Sequence, residues 1–244
     1  LALVILDVYR NAPDTWWLWT AGFLLLFNVL LANLAPVLLF PIFYNFTPLA
    51  EENQELGERL MALAVKAGAP VMGVYRFDIS RRTKGANAAL TGIGSTRRII
   101  LGDNLLDEFP PREIETVLAH ELGHHANRDI PLGILVQSAI TLGGLYLTSL
   151  VLAWGVNLLG FNSLADLAAL PLFGLSLGLY GLVTMPLSNG FSRWRENLAD
   201  RYALALTGDG RAYGSALTRL SNQNLAEVDP PAWVEFFLAS HPAL

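Results

Sequence analysis

Three long stretches of the chain carry no charged side chain: Thr15 to Ala50, Ile130 to Ala165 and Leu167 to Ser192. Few folds accept such runs. A helix of about 20 apolar residues matches the hydrocarbon thickness of a bilayer, whereas a helix on a water-soluble domain keeps one face polar at its own period. The expectation is therefore an integral, multi-pass membrane protein in contact with the lipid bilayer. The first run predicts a span over about Trp16 to Phe40, with Trp16, Trp17 and Trp19 at one end and Tyr44 at the other placed like interfacial aromatics. Pro36 and Pro41 would kink or end it. The other two predict a transmembrane hairpin, roughly Leu132 to Leu158 and Leu170 to Leu187, turning near Gly160 to Asp166. Gly143, Gly144, Gly155, Gly174, Gly178 and Gly181 would let its helices approach closely. Leu1 to Val8 reads as the end of a further span from a longer chain.

The hydrophobic share of 53% against 15% charged residues agrees with a membrane class. The net charge of -5 and the lack of a basic block interleaved with aromatics argue against a nucleic-acid partner. With no cysteine, any metal must be held by His, Asp or Glu.

Between the runs the composition changes. Glu51 to Ala67 reads as an amphipathic helix stopped by Gly68, Val71 to Ile79 as a strand, Arg81 to Gly85 as a basic loop, and Asn87 to Thr91 with Arg97 to Leu101 as a hairpin. Pro110 and Pro111 open the next helix, Glu113 and Glu115 suit its first turn, and Ile114, Leu118 and Leu122 form its apolar stripe. This helix carries His120-Glu121-Leu122-Gly123-His124. Residues four apart share a helix face, so His120 and His124 can aim both imidazoles at one cation while Glu121 serves as a general base. His125 lies about 100° further round and is left out of the site.

Two spans after Asp129 bring Arg193 to Asp200 back to the side that holds His120. There Glu196 can complete a His2Glu set, and Asp200 can accept the free N–H of a ligand imidazole. The competing reading is a solvated helix face paired with Arg193, Arg195 or Arg201. Asn87 to Leu90 is a candidate edge for an extended peptide, although spacing alone favours an ordinary hairpin strand. Arg59, Lys66, Arg81, Arg82 and Lys84 lie on the metal side, while the turn from Gly160 to Asp166 has no Lys or Arg, which favours a cytoplasmic catalytic domain.

Four segments result. Residues 1–50 form a transmembrane region, 51–129 the first part of a metallopeptidase domain, 130–191 a transmembrane hairpin, and 192–244 the second part with the third ligand. The fold class is a mainly α membrane protein in which a zincin-type α+β domain, a small sheet plus the His-Glu-x-x-His helix, is interrupted by that hairpin.

The motif, the Asn87-Ala88 pair, Arg97-Arg98-Ile99-Ile100-Leu101, and Pro186 to Arg193 running into Glu196 and Asp200 resemble the CAAX prenyl protease family of membrane zinc metalloproteases. The HtpX-like heat-shock proteases are the nearest sibling group. The resemblance implies one Zn2+ held by His120, His124 and Glu196, Glu121 as base, Asp200 behind a ligand, and Asn87 and Ala88 on a substrate-binding strand. It also implies that His241 stabilises the oxyanion, with Arg193 either sharing that role or serving structurally. The expected partner is a peptide or protein substrate, lipidated or membrane-anchored. Two alternatives stand beside this: an HtpX-like quality-control protease, and a non-catalytic membrane scaffold that keeps the fold.

Overall fold

The computed structural model describes residues 7–8, 10–34, 39–92, 94–163, 166–224 and 229–242. Pro36, most of the Leu1 to Val8 tail and part of the expected turn before Asp166 lie outside them. In chain order the elements are α1 (Trp16–Leu34), the short α2 (Phe40–Phe43), β1 (Phe46–Pro48), α3 (Gln54–Lys66), β2 (Val74–Phe77), β3 (Ala88–Thr91), β4 (Arg98–Gly102), α4 (Asp103–Glu108) and α5 (Pro111–Ala126). Then follow α6 (Asp129–Leu159), α7 (Leu170–Thr207), α8 (Gly210–Gln223) and α9 (Ala232–Leu238). The chain is mostly helical with a small mixed sheet. It divides into two compact units, 1–31 with 131–188, and 32–130 with 189–244.

In the first unit Trp16, Ala21, Leu145, Leu152 and Ala169 form a buried cluster, and the Trp16 and Phe173 rings lie 6.0 Å apart. Close approach of α6 and α7 rests on fewer glycines than expected. A Cβ on Gly143 or Gly144 would strike the Tyr180 ring or hydroxyl, and one on Gly155 would strike Leu172. Gly174, Gly178 and Gly181 instead face open space. Leu147, Leu150, Trp154, Leu175, Leu179 and Val183 are exposed. Helices that are apolar yet unburied suit a lipid surrounding rather than water. Asp129–Leu159 and Leu167–Thr207 are long and apolar enough to cross a membrane. Of the span expected over Trp16 to Phe40, α1 covers Trp16–Leu34, residues 35–38 lie outside the described residues, and Pro41 sits in α2.

The second unit holds the sheet, in the order β1-β2-β4-β3, with β2 and β4 parallel and both outer pairs antiparallel. β1 was not anticipated, because its residues close an apolar run and lack alternation. The strand expected from Val71 shrinks to β2, and Ile79–Arg81 turns into a 3-10 helix. α3 starts at Gln54 rather than Glu51, since the Asn53 side chain accepts the Leu56 N–H and caps it there. The apolar stripe of α5 is fully used: Ile114, Leu118 and Leu122 are buried against Leu56 and Leu60 of α3 and Ile99 and Leu101 of β4. This core fixes the rotation of α5 about its axis.

Candidate metal centre

α7 crosses α5 between the two motif histidines. A Cβ on Gly123 would sit 2.9 Å from Ala199 Cα and 3.0 Å from its carbonyl oxygen, so only glycine admits this approach. Ala199 itself is fully buried. Residues 196 and 200 flank it one turn apart, and both carboxylates meet the motif.

His120 Nε2 and His124 Nε2 stand 3.0 Å apart. Glu196 places Oε2 3.3 Å from His120 Nε2 and Oε1 3.7 Å from His124 Nε2. The outer ring nitrogens have carboxylate partners: His120 Nδ1 lies 2.9 Å from Asp200 Oδ1, and His124 Nδ1 lies 2.7 Å from Asp129 Oδ2. Each carboxylate accepts a hydrogen from Nδ1, which leaves both Nε2 lone pairs and the Glu196 oxygens facing one another with no proton between them. Such a nest of acceptors demands positive charge. Burial alone would lower the His120 pKa, but hydrogen bonds to Asp200 and Glu196 outweigh it and push the value up to about 10.

A metal ion meets the same demand. Ligand atoms of a tetrahedral zinc with bonds of 2.0–2.1 Å lie about 3.3 Å from one another; the two Nε2 atoms at 3.0 Å are close to that figure, and each Glu196 oxygen faces one of them, at 3.3 and 3.7 Å. His120, His124 and Glu196 fit the ion. Among the described residues they are the group of three such side chains whose donor atoms all converge within 4.8 Å; His125 is not in it.

Tyr213 of α8 donates its hydroxyl to Asp200 Oδ1 at 2.5 Å and lies 3.3 Å from His120 Nδ1. Burial, then the bond to Asp200, raises its pKa, so the hydroxyl keeps its proton. Burial also raises the pKa of Glu121. Asp129 accepts from Arg195 Nε at 2.8 Å and from Nη2. Neither Asp129, Arg195 nor Tyr213 was foreseen. Asp129 and Arg195 adjoin the motif and Glu196 in sequence, which offered a weak signal; Tyr213 offered none.

A cavity of about 830 Å³ opens beside the donors, lined among others by Asn87, Ala88, Glu121, Glu196 and His241. β3 forms the end of the sheet, and the Gly102 amide donates to the Asn87 carbonyl at 2.8 Å. By the alternation of antiparallel pairing, the main-chain groups of Ala88 and Leu90 then face away from β4. His241 Nε2 lies 3.7 Å from Glu196 Oε1. Arg193 reaches no donor atom of the group; its Nη1 donates to the carbonyls of Glu235 and Ala239, at 2.7 and 2.6 Å, and so holds the segment that leads to His241.

The model of peptidase family M48 matches residues 50–244, and the chain belongs to that family. It is 33% identical over 246 residues to "Uncharacterized metalloprotease YhfN" of Bacillus subtilis (strain 168), covering 99% of this chain and 57% of that one. Against "Probable CAAX prenyl protease 1" of Schizosaccharomyces pombe the identity is 28% over 244 residues, covering 99% and 51%. The crystal structure of S. mikatae Ste24p superposes with a TM-score of 0.85 at 25% identity, covering 99% of this chain and 59% of that one. The chain thus spans a little over half the length of these relatives.

Proposed function

We propose that the chain is the metal-binding part of a membrane zinc metalloendopeptidase of the CAAX prenyl protease type. The observation that carries this reading is the convergence of His120 Nε2, His124 Nε2 and Glu196 at the spacing of one tetrahedral ion, with Glu121 beside them on the cavity wall. His120, His124 and Glu196 hold the ion. Bound zinc supplies Lewis acidity toward a carbonyl oxygen and a water molecule.

The chain's own groups do the rest. Glu121 accepts a proton from the attacking water and returns it to the leaving amine, a task that its burial-raised pKa suits. Asp200 holds the tautomer of His120. Ala88, next to Asn87, offers an outward amide and carbonyl to an extended substrate, which binds through backbone hydrogen bonds with little side-chain selectivity. His241 donates to the developing oxyanion, and Arg193 keeps the His241 segment against the cavity.

In this reading residues 51–129 and 192–244 build one metallopeptidase domain, facing the cytoplasm, around a transmembrane hairpin of residues 130–191. The substrate is a peptide or protein with a lipid or a membrane anchor, as the name of the S. pombe relative suggests. Metal analysis paired with peptide cleavage tests this. One zinc per chain, lost in His120→Ala and Glu196→Ala, is expected, and Glu121→Gln should keep the metal while losing about 10²- to 10⁴-fold in rate. Cleavage at the parent rate by Glu121→Gln would overturn the mechanism.

A further inference from the structure

We infer that Asp129 and Arg195 are positioning residues for the metal, a clamp that fixes the imidazole of His124 and ties it to the helix that carries Glu196. The inference rests on the zinc reading above. It begins with the break between α5 and α6. α5 stops at Ala126, Asn127 caps it, and Arg128 takes φ 56°, the one non-glycine residue at positive φ among the described residues. An L-residue enters that region only at a cost. Were the helix continuous, Asp129, five residues after His124, would lie about 140° away around the axis and point elsewhere. The break turns its carboxylate back, so that Oδ2 meets His124 Nδ1 at 2.7 Å.

Arg195 holds the carboxylate there. Only 7% exposed, its guanidinium donates to Asp129 Oδ1 from Nε at 2.8 Å and from Nη2, and to the carbonyl of Asn127 at 2.6 Å. One buried side chain therefore satisfies the residue that orients the ring and a free carbonyl at the end of the helix bearing it. The next residue on α7 is Glu196. A single turn of α7 supplies both the third ligand and the support of the second, so docking of α7 and aiming of His124 are one event.

The same design recurs at the other histidine. His120 Nδ1 faces Asp200, and Asp200 accepts from Tyr213; His124 Nδ1 faces Asp129, and Asp129 accepts from Arg195. Each imidazole has a carboxylate, and each carboxylate has a buried or half-buried donor behind it. A structural ion pair would need only the last link.

The test uses the full chain purified in detergent, with zinc affinity read by competition against a chromophoric chelator. Asp129→Asn and Arg195→Met should each raise the zinc Kd about 10- to 100-fold. The double variant should be no worse than about the poorer single one, since both remove the same support. Arg195→Lys keeps the charge and guards against a folding failure; it should fall between parent and Arg195→Met. In the cobalt(II)-loaded protein, Asp129→Asn should shift the ligand-field bands. Glu113→Gln is the control: it removes the charge of the buried Glu113 carboxylate, 3.1 Å from the exposed Arg219 in the same unit, and should lower thermal stability with the zinc Kd unchanged. A parent chain that holds no zinc overturns the zinc reading and this inference with it. A parent that binds zinc, with Asp129→Asn unchanged in Kd and spectrum, overturns the inference alone.

Discussion

At the scale of single residues, the outer partners of the histidines set what the site can bind and at which pH. Tyr213 keeps its proton across the neutral range, so its support of Asp200 does not vary there. Tyr213→Phe should raise the zinc Kd about tenfold, the low end of losses for such partners, and a chelator competition at two neutral pH values should give the same factor. Glu121 must be ionised to accept a proton, and burial raises its pKa above the usual 4.5. Activity at saturating zinc should therefore be lost on the acid side as Glu121 takes up a proton. An unchanged acid limb in the residual rate of Glu121→Gln would refute Glu121 as the base. His120, Glu121 and His124 were legible in the sequence because helical spacing is local, and Asp200 followed from Glu196 by the same rule. Asp129, Arg195 and Tyr213 were not, because each meets its partner across a helix break or between helices, where helical spacing does not reach; nearness to the motif and to Glu196 was a weak signal for the first two alone.

Elements show the converse. The apolar stripe on α5 and the two long apolar helices were readable from periodicity and charge alone. β1, the parallel pairing of β2 with β4, and the unbroken course of α7 through Pro186 were not; they depend on packing partners distant in sequence. In the sequence Gly123 is only a spacer between the motif histidines, yet in the fold it decides how near α7 comes. Gly123→Ala would press a methyl into the Ala199 backbone, a clash of the kind that costs about 1–3 kcal/mol. Zinc affinity should fall about tenfold or more, and an unchanged Kd would show that α7 yields without moving Glu196. The outward groups of β3 make a separate prediction. Replacing the substrate amide that pairs with the Ala88 carbonyl by an ester should raise KM about 2- to 10-fold, the worth of one hydrogen bond, while kcat holds. No rise would remove β3 as the docking edge.

For the whole molecule, the exposed apolar faces of α6 and α7 and the converging polar groups of the second unit belong to one chain with two solvents. Gly178 faces open space, so Gly178→Arg meets no steric clash, and its effect reports the surrounding medium. In a bilayer the charge costs about 2.5–3.5 kcal/mol near mid-span. The fraction of chains resisting alkaline carbonate extraction should drop several-fold, and no change would argue against a span there. The donor set carries a last consequence, one of timing. His120 and His124 are synthesised before the two charge-free runs 130–165 and 167–192, and Glu196 only after them. A nascent chain halted at Ser192 has two of the three proposed ligands, and its affinity for zinc should be correspondingly poor. Full loading then becomes possible only once both long apolar runs have been synthesised, so metal uptake by ribosome-bound chains of increasing length should rise in one step as residue 196 emerges.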